Sequence, residues 1–344
     1  MQYKVITDIR EFKLLECEWN LLFDRNTYSV FQSFVFNYYS WKEILMHSSS
    51  NSLFIIKIIQ DNITIGFFPL YNDKTNTLRF INDVHSDFCD VILGKEIDLN
   101  NLLQFILKDC EQKKLQLINL KENSILTQYT ISHNQRNLTS SVSEKYTEFE
   151  VDKGIFPNNF DKLLSKERSE IRRIVKKNVN CKHEVLAKSH CDFPINEILT
   201  LKEKVIKNGS RNNDFLPINQ LKLIEKLYNH QYIEISLIKD SEVRAILFVM
   251  KNKNDSLFWI DLYDNLGYTS TLYNYISYIT AKSLNNKIFI NLGRGAYKWK
   301  IAKFRPNIRE LYTVNIFSST FLKVNYIIKS YIIAIVTLLY RKFK

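Results

Sequence analysis

Apolar positions near the start of the chain recur at helical spacing and then switch to strand spacing. In TDIREFKLLECEWNLLF, Ile9, Phe12, Leu15, Trp19 and Leu22 return every three or four residues behind a Thr7 or Asp8 cap, which predicts a helix. SFVFNYYSWKEILMH, after Ser33, predicts a second helix. SLFIIKIIQ and ITIGFFPLY, separated by the turn pair Asp61-Asn62, read as a hairpin. A strand TLRFIN, a loop DVHSDFCD, a helix LNNLLQFILKDCEQK and a strand LQLINL complete the series.

The second half repeats this order. INEILTLKEKVIKNG and INQLKLIEKLYNH predict helices, and YIEISLIK, EVRAILFVM and SLFWIDLY predict strands, the first two joined at Asp240-Ser241. The helix STLYNYISYITAKSLN and the strand KIFINL close it. Two passes through helix, helix, strand, turn, strand, strand, helix, strand predict a duplicated α/β unit. The expected organisation is a domain over 1–150, a second over 151–318 that begins with a basic linking helix at 161–180, and a terminal helix over 319–344.

Composition narrows the class. Hydrophobic residues make up 45% of the 344 positions and Gly and Pro number only 7 and 5, so packed cores are expected and low-complexity segments are not. A formal charge of +12 favours an anionic partner, whether nucleic acid, acidic membrane or phosphorylated metabolite. No helix-turn-helix, zinc-finger or RNA-binding signature accompanies it, so DNA is not an expected partner. Five scattered cysteines suit a reducing cytosol. CKHEVLAKSHC lacks the paired knuckles of structural zinc sites, and no metal is expected.

Met1–Glu18 has no apolar h-region, so no secretion signal is expected, and no apolar run reaches the ~18 residues of a spanning helix. YIIKSYIIAIVTLLY, from Tyr326 to Tyr340, reads as a terminal helix whose apolar face packs on the domain. Shallow contact with a membrane surface, helped by Arg341, Lys342 and Lys344, is the alternative.

Several places carry candidate chemistry. HSDFCD gathers His85, Asp87, Cys89 and Asp90, and carboxylates beside a histidine suit general-base work. INLGRGAYKWK ends a strand in Gly293-Arg294-Gly295, where Arg294 is either a clamp for carboxylate or phosphate or an exposed arginine in a tight turn. No Gly-Lys-Ser/Thr follows, so this is not a P-loop. DLYDNLGYTSTLYNY places Gly267, Thr269, Ser270 and Thr271 where a helix starts, a position that either holds a pyrophosphate on backbone N–H groups or is an ordinary capped turn. Arg168, Arg172 and Lys176 stripe the linking helix, as a solvated face or a guide for an anionic substrate.

FQSFVFNYYSW, GFFPLY with FINDVHSDFCDVIL, LSKERSEIRRIVKK and FINLGRGAYKWK, in this order, resemble the motifs of GNAT-superfamily acyltransferases of the CelD-like type, relatives of the FemAB aminoacyl transferases. The resemblance runs from about Phe31 to Phe304 and implies a tandem GNAT fold with a mixed α/β sheet. It implies transfer of an acyl group from acyl-CoA, acetyl-CoA first, to an amine on an amino sugar or another cell-envelope precursor, presented as a small molecule or linked to a lipid or nucleotide. In this reading Asp87 and Asp90 bind the acceptor or act as base with Lys298, and His85, Arg172, Arg294, Tyr297 and Lys300 bind substrate. Gly267, Thr269, Ser270 and Thr271 then hold the donor. Two departures stand out: Asn291 replaces the family's Asp before the Gly-x-Gly loop, and Thr269-Ser270-Thr271 replaces its Ser-Pro-Gly. The implied place of work is the cytoplasm or the inner membrane surface. An aminoacyl transferase using charged tRNA and a non-catalytic binding protein of the same fold are the alternatives.

Overall fold

The computed structural model describes residues 1–23, 28–81, 83–132, 137–157, 160, 162–252, 255–264 and 268–342, without the side chains at 268–270, 334, 338–339 and 341–342. The first part of the chain carries β1 (Gln2–Ile6), α1 (Ile9–Leu14), α2 (Glu16–Leu22), α3 (Phe34–Glu43), β2 (Ser52–Gln60), β3 (Ile63–Asn72), β4 (Leu78–Phe80), β5 (Ile92–Leu93), α4 (Leu99–Gln104), β6 (Lys114–Lys121), α5 (Ile125–Ser132) and β7 (Leu138–Val151). The second carries α6 (Ser165–Lys177), β8 (Lys182–Leu186), α7 (Ile195–Lys207), α8 (Ile218–Asn229), β9 (Ile233–Lys239), β10 (Val243–Lys251), β11 (Asp255–Tyr263), α9 (Tyr268–Ser283), β12 (Ile288–Arg294), α10 (Lys298–Phe304), β13 (Asn307–Phe317) and α11 (Thr320–Lys342).

The predicted first helix breaks at Leu15 into α1 and α2, and Asp8 caps α1 by accepting from the N–H groups of Arg10 and Glu11. The predicted hairpin is β2–β3, and Asp61 and Asn62 both take positive φ (51° and 60°), as a two-residue turn between right-twisted strands requires.

The chain forms two compact units, one of Met1–Leu22, Leu45–Ser143 and Leu311–Lys344, the other of Phe23–Ile44 and Glu144–Glu310. In the first, strands run in the order β1-β2-β3-β4-β6-β13, with β5 beside β3. In the second the order is β7-β12-β11-β10-β9-β8. Each is mixed in the same way: antiparallel ladders, then one parallel pair reached through a crossover helix. That pair is β4–β6 across α4 in the first unit and β11–β12 across α9 in the second.

A single cut after residue 150 does not describe these units, because the terminal strands are exchanged. β13, from the second half of the chain, pairs antiparallel with β6 from Leu311↔Lys121 to Phe317↔Lys114. β7, from the first half, pairs with β12 from Arg294↔Tyr146 to Ile288↔Val151. Each core is apolar and continuous with its sheet: Ile56, Phe68, Leu117 and Val314 in one, Phe149, Ile171, Phe258, Tyr278 and Phe304 in the other.

One expectation is overturned. Tyr326 meets Phe317, but the apolar face beyond it does not pack on the domain: every described side chain from Ile328 to Tyr340 is exposed. The helix runs for 23 residues and is long and apolar enough to cross a membrane by length and composition, where the sequence reading expected no such helix.

Candidate functional site

The main candidate lies in the second unit, where β11 and β12 part. Among the described residues they pair at Asp255↔Phe289, Ser256↔Ile290 and Leu257↔Asn291, although both strands continue well beyond. Two irregularities produce the divergence. On one side the β10–β11 register slips at Phe248/Val249, leaving Trp259 as the extra residue of a bulge. On the other, the β12–β7 register slips between Asn291 and Arg294, at a Gly293 with φ of 73°. A side chain there would be strained, so glycine is required by conformation. The Asn291 side chain fixes the bend by accepting a hydrogen bond from the Gly293 N–H at 2.9 Å.

Asp261 sits on the part of β11 that β12 leaves. Arg211 Nη2 lies 3.3 Å from its Oδ1, and the Tyr275 hydroxyl from α9 donates to its Oδ2 at 3.4 Å. Burial pushes its carboxyl above the ordinary value, against the pull of the Arg211 and Lys300 charges and the Tyr275 bond. The same burial, together with the Asp261 charge, holds the Tyr275 hydroxyl well above its ordinary value, so the phenol stays protonated as a donor.

Lys300 reaches the gap from the opposite side. Its helix α10 is only seven residues long, and this lysine is buried while Lys298 is exposed. Lys300 Nζ donates to the carbonyls of Leu292 (2.6 Å) and Arg294 (3.0 Å), bracing the bend around Gly293. It also lies 5.0 Å from the Tyr297 ring centroid, a cation–π distance. The Tyr297 ring covers Gly295 so closely that a Cβ there would sit 2.4 Å from it, with φ at +85° adding strain. Arg294 is half-buried and Tyr297 exposed.

Arg172 stands apart from this gap, in a cavity of about 590 Å³ between α6 and α9 that Val175, Lys176, Tyr273 and Ile276 also line. Two ion pairs fix α6 against α10: Arg305 grips Glu167 with Nε and Nη2 at 2.8–3.0 Å, and Lys303 pairs with Glu170. Of the residues expected to hold a donor, Gly267 lies outside the described residues, as do the side chains of Thr269 and Ser270. Thr271 is buried at the start of α9, its Oγ1 without a hydrogen-bond partner among the described residues.

The first unit holds the acidic loop. Asn119, within β6 at a φ of 60°, anchors it by donating to the carbonyls of Asp83 (2.9 Å) and Ser86 (2.8 Å), while its own carbonyl accepts from the Cys89 N–H. Asp87 is buried, and His85 and Asp90 are half-buried. Asp90 Oδ1 accepts from the Ser124 hydroxyl and the Val91 N–H, both at 2.9 Å. Burial outweighs these bonds and the Lys121 charge, and pushes the Asp90 carboxyl up to about 6. An acid in that range exchanges protons near neutrality. Asp83 is instead consumed by an ion pair with Arg79 Nε at 2.9 Å.

Sequence reasoning named the acidic loop and the Arg294–Lys300 segment, and it did not name Asp261, Arg211 or Tyr275. The available signal was an acid inside the apolar run LFWIDLY. Among the described residues, no group of three or more His, Cys, Asp and Glu is placed to hold a metal ion.

No family model matches the chain, and no curated protein does. Solved structures are similar along almost its whole length. FemX is 9% identical over 94% of this chain and 99% of its own, with a TM-score of 0.60. The C-terminal domain of an Agrobacterium fabrum protein described as a lysylphosphatidylglycerol synthetase is 10% identical over 93% and 96%, at 0.56. A tandem GNAT protein from the clavulanic acid biosynthesis pathway is 7% identical over 92% and 99%, at 0.52. At such identities the likeness is one of fold, and the fold of this chain is a tandem, mixed α/β GNAT-like fold related to that of FemX.

Proposed function

We propose that the chain is an N-acyltransferase of the CelD-like type, moving an acyl group from acyl-CoA, acetyl-CoA first, to an amine of an amino sugar or other cell-envelope precursor. The observation that carries this reading is the parting of β11 and β12 beside the half-buried Asp261–Arg211 pair and the buried Tyr275. Parted strands leave backbone N–H and C=O groups unpaired along their facing edges, and an amide-bearing arm such as that of CoA can bond to them as an added strand does. The amine attacks the thioester carbonyl and the CoA thiolate leaves. Asp261 takes the proton released by the attacking nitrogen, with Arg211 and Lys300 keeping it ionised. Backbone N–H groups at the bend stabilise the oxyanion. Arg294 and Tyr297 hold polar groups of the substrates, and Thr271 lines the donor end of α9. Lys298 contributes a solvated charge, and in the first unit Asp87, Asp90 and His85 form a separate polar cluster suited to binding sugar hydroxyls.

A second reading, aminoacyl transfer from charged tRNA, draws support from the basic face of α6, with Arg172, Arg173, Lys176 and Lys177, and from the fold shared with FemX. The test is release of free CoA thiol from acetyl-CoA in the presence of an amino-sugar panel. Release that Asp261→Asn removes supports acyl-CoA chemistry. Transfer from aminoacyl-tRNA with no thiol release favours the second reading. No reaction with either donor leaves a binding protein.

A further inference from the structure

We propose that α11 is a membrane-surface anchor that lies in the headgroup region of a bilayer rich in anionic lipid. Between Tyr331 and Tyr340 ten consecutive residues carry no charge, and Ile332, Ile333, Ile335 and Val336 among them are all more than half exposed. At 100° per residue, ten uncharged positions cover the whole circumference of a helix, whereas a protein groove covers one stripe. Seated at the headgroup–acyl boundary, the helix turns Ile332, Ile335 and Val336, which share one face, to the acyl chains and leaves Thr337 toward the headgroups, with no charged side chain of this stretch to desolvate.

Charge selects the headgroup. From Thr320 to Lys344 there is no acidic residue, while Lys323 and Lys329 precede the uncharged stretch and Arg341, Lys342 and Lys344 follow it. Basic residues near a bilayer surface are attracted to anionic lipids. Tyr331 and Tyr340 suit the interface, where an apolar ring and a polar hydroxyl are both satisfied. Geometry selects the mode. The stretch from Ser330 to Tyr340 rises only ~16 Å, about half of a ~30 Å hydrocarbon core. Spanning would bury Lys329, whereas lying in the interface keeps Lys323 and Lys329 at headgroup level.

The base of the helix is tied to the first unit. Tyr326 meets Phe317 of β13 with ring centroids 5.3 Å apart, and Lys114 Nζ lies 4.1 Å from the Tyr326 ring centroid. The side chains of Ile332, Ile335 and Val336 are all more than half exposed, so these positions can be altered without disturbing the core.

Flotation of the full chain on vesicles of equal phosphatidylglycerol and phosphatidylcholine tests this, with pure phosphatidylcholine for comparison. The wild type floats with the anionic vesicles and at least tenfold less with the neutral ones. A variant carrying Ile332→Glu, Ile335→Glu and Val336→Glu keeps the wild-type melting temperature and stays at the bottom. Wild type remaining at the bottom, or the variant floating equally well, overturns the proposal. So does a vesicle-free dimer that the variant turns into monomer without any flotation of the wild type, which would assign α11 to a second copy of the chain.

Discussion

Lys300 Nζ lies 2.6 Å from the carbonyl oxygen of Leu292, across the bend where β12 leaves its partner. A buried ammonium there does structural work that exposed Lys298, two residues earlier, does not share. The two carbonyls it serves lose their donor if it is removed, and each unsatisfied buried acceptor costs about 1–3 kcal/mol.

Lys300→Met is therefore expected to lower stability by about 1–3 kcal/mol, mainly from the buried Leu292 carbonyl that loses this donor. Lys298→Ala, at an exposed position, is expected to stay within about 0.5 kcal/mol of wild type. Urea titration of both variants checks this, and equal loss in the two would remove the distinction between them.

Asp261→Asn keeps the shape of the side chain and removes its basicity. If Asp261 takes the proton from the acceptor amine, turnover falls by roughly 10²–10⁴-fold with little change in melting temperature. The acid limb of the pH–rate profile is also lost. A variant with wild-type turnover and an unchanged profile excludes Asp261 as the base.

Asp90 makes a separate statement about stability. Its folded pKa, about 6, stands above the ordinary 3.8, so the folded state holds this proton more tightly than the unfolded chain. The contribution is complete below about pH 4 and is lost as pH rises through 6, with a ceiling of about 3 kcal/mol. Asp90→Asn should accordingly be more stable than wild type at pH 8 and close to it at pH 4.5. Parallel wild-type and variant curves across that range would show that the carboxyl is not perturbed.

His183 runs the other way. Burial and the Lys282 charge hold it down at about 4, with Nε2 2.8 Å from the Ser236 hydroxyl, which in turn bonds Asn274 Oδ1 at 2.5 Å. The folded state prefers the neutral ring, so this contribution is present above pH 6.5 and disappears as pH falls through 4. His183→Gln is expected to flatten the acid side of the stability profile, measured as melting temperature from pH 7 to 4. A steeper acid slope in the variant would contradict it.

Much of the fold was legible because its signals are local. The β2–β3 turn needs two residues at positive φ, and Asp61-Asn62 is a pair that tolerates it. The crossover helices α4 and α9 stand between strands in both halves, which is why the repeat could be read. The exchange of β7 and β13 was not legible, since strand partners are set by contacts far apart in sequence. The first half of β7, LTSSVSEK, also lacks the apolar alternation that marks a strand. Lys300 and Lys298 could not be ranked, because a helix as short as α10 leaves its buried face undefined until the sheet beneath it is known. Asp261 escaped notice for a related reason: its importance comes from Arg211 and Tyr275, which only the fold brings to it.

Donor binding tests the central proposal most directly, because it requires no knowledge of the acceptor. The melting temperature of the full chain should rise with acetyl-CoA or a longer acyl-CoA in a saturable way, since a ligand at a hundredfold excess over its Kd adds about 2.7 kcal/mol to the folded state. An unchanged melting temperature with every acyl-CoA at millimolar concentration, above all beside a clear rise with aminoacyl-tRNA, would contradict it.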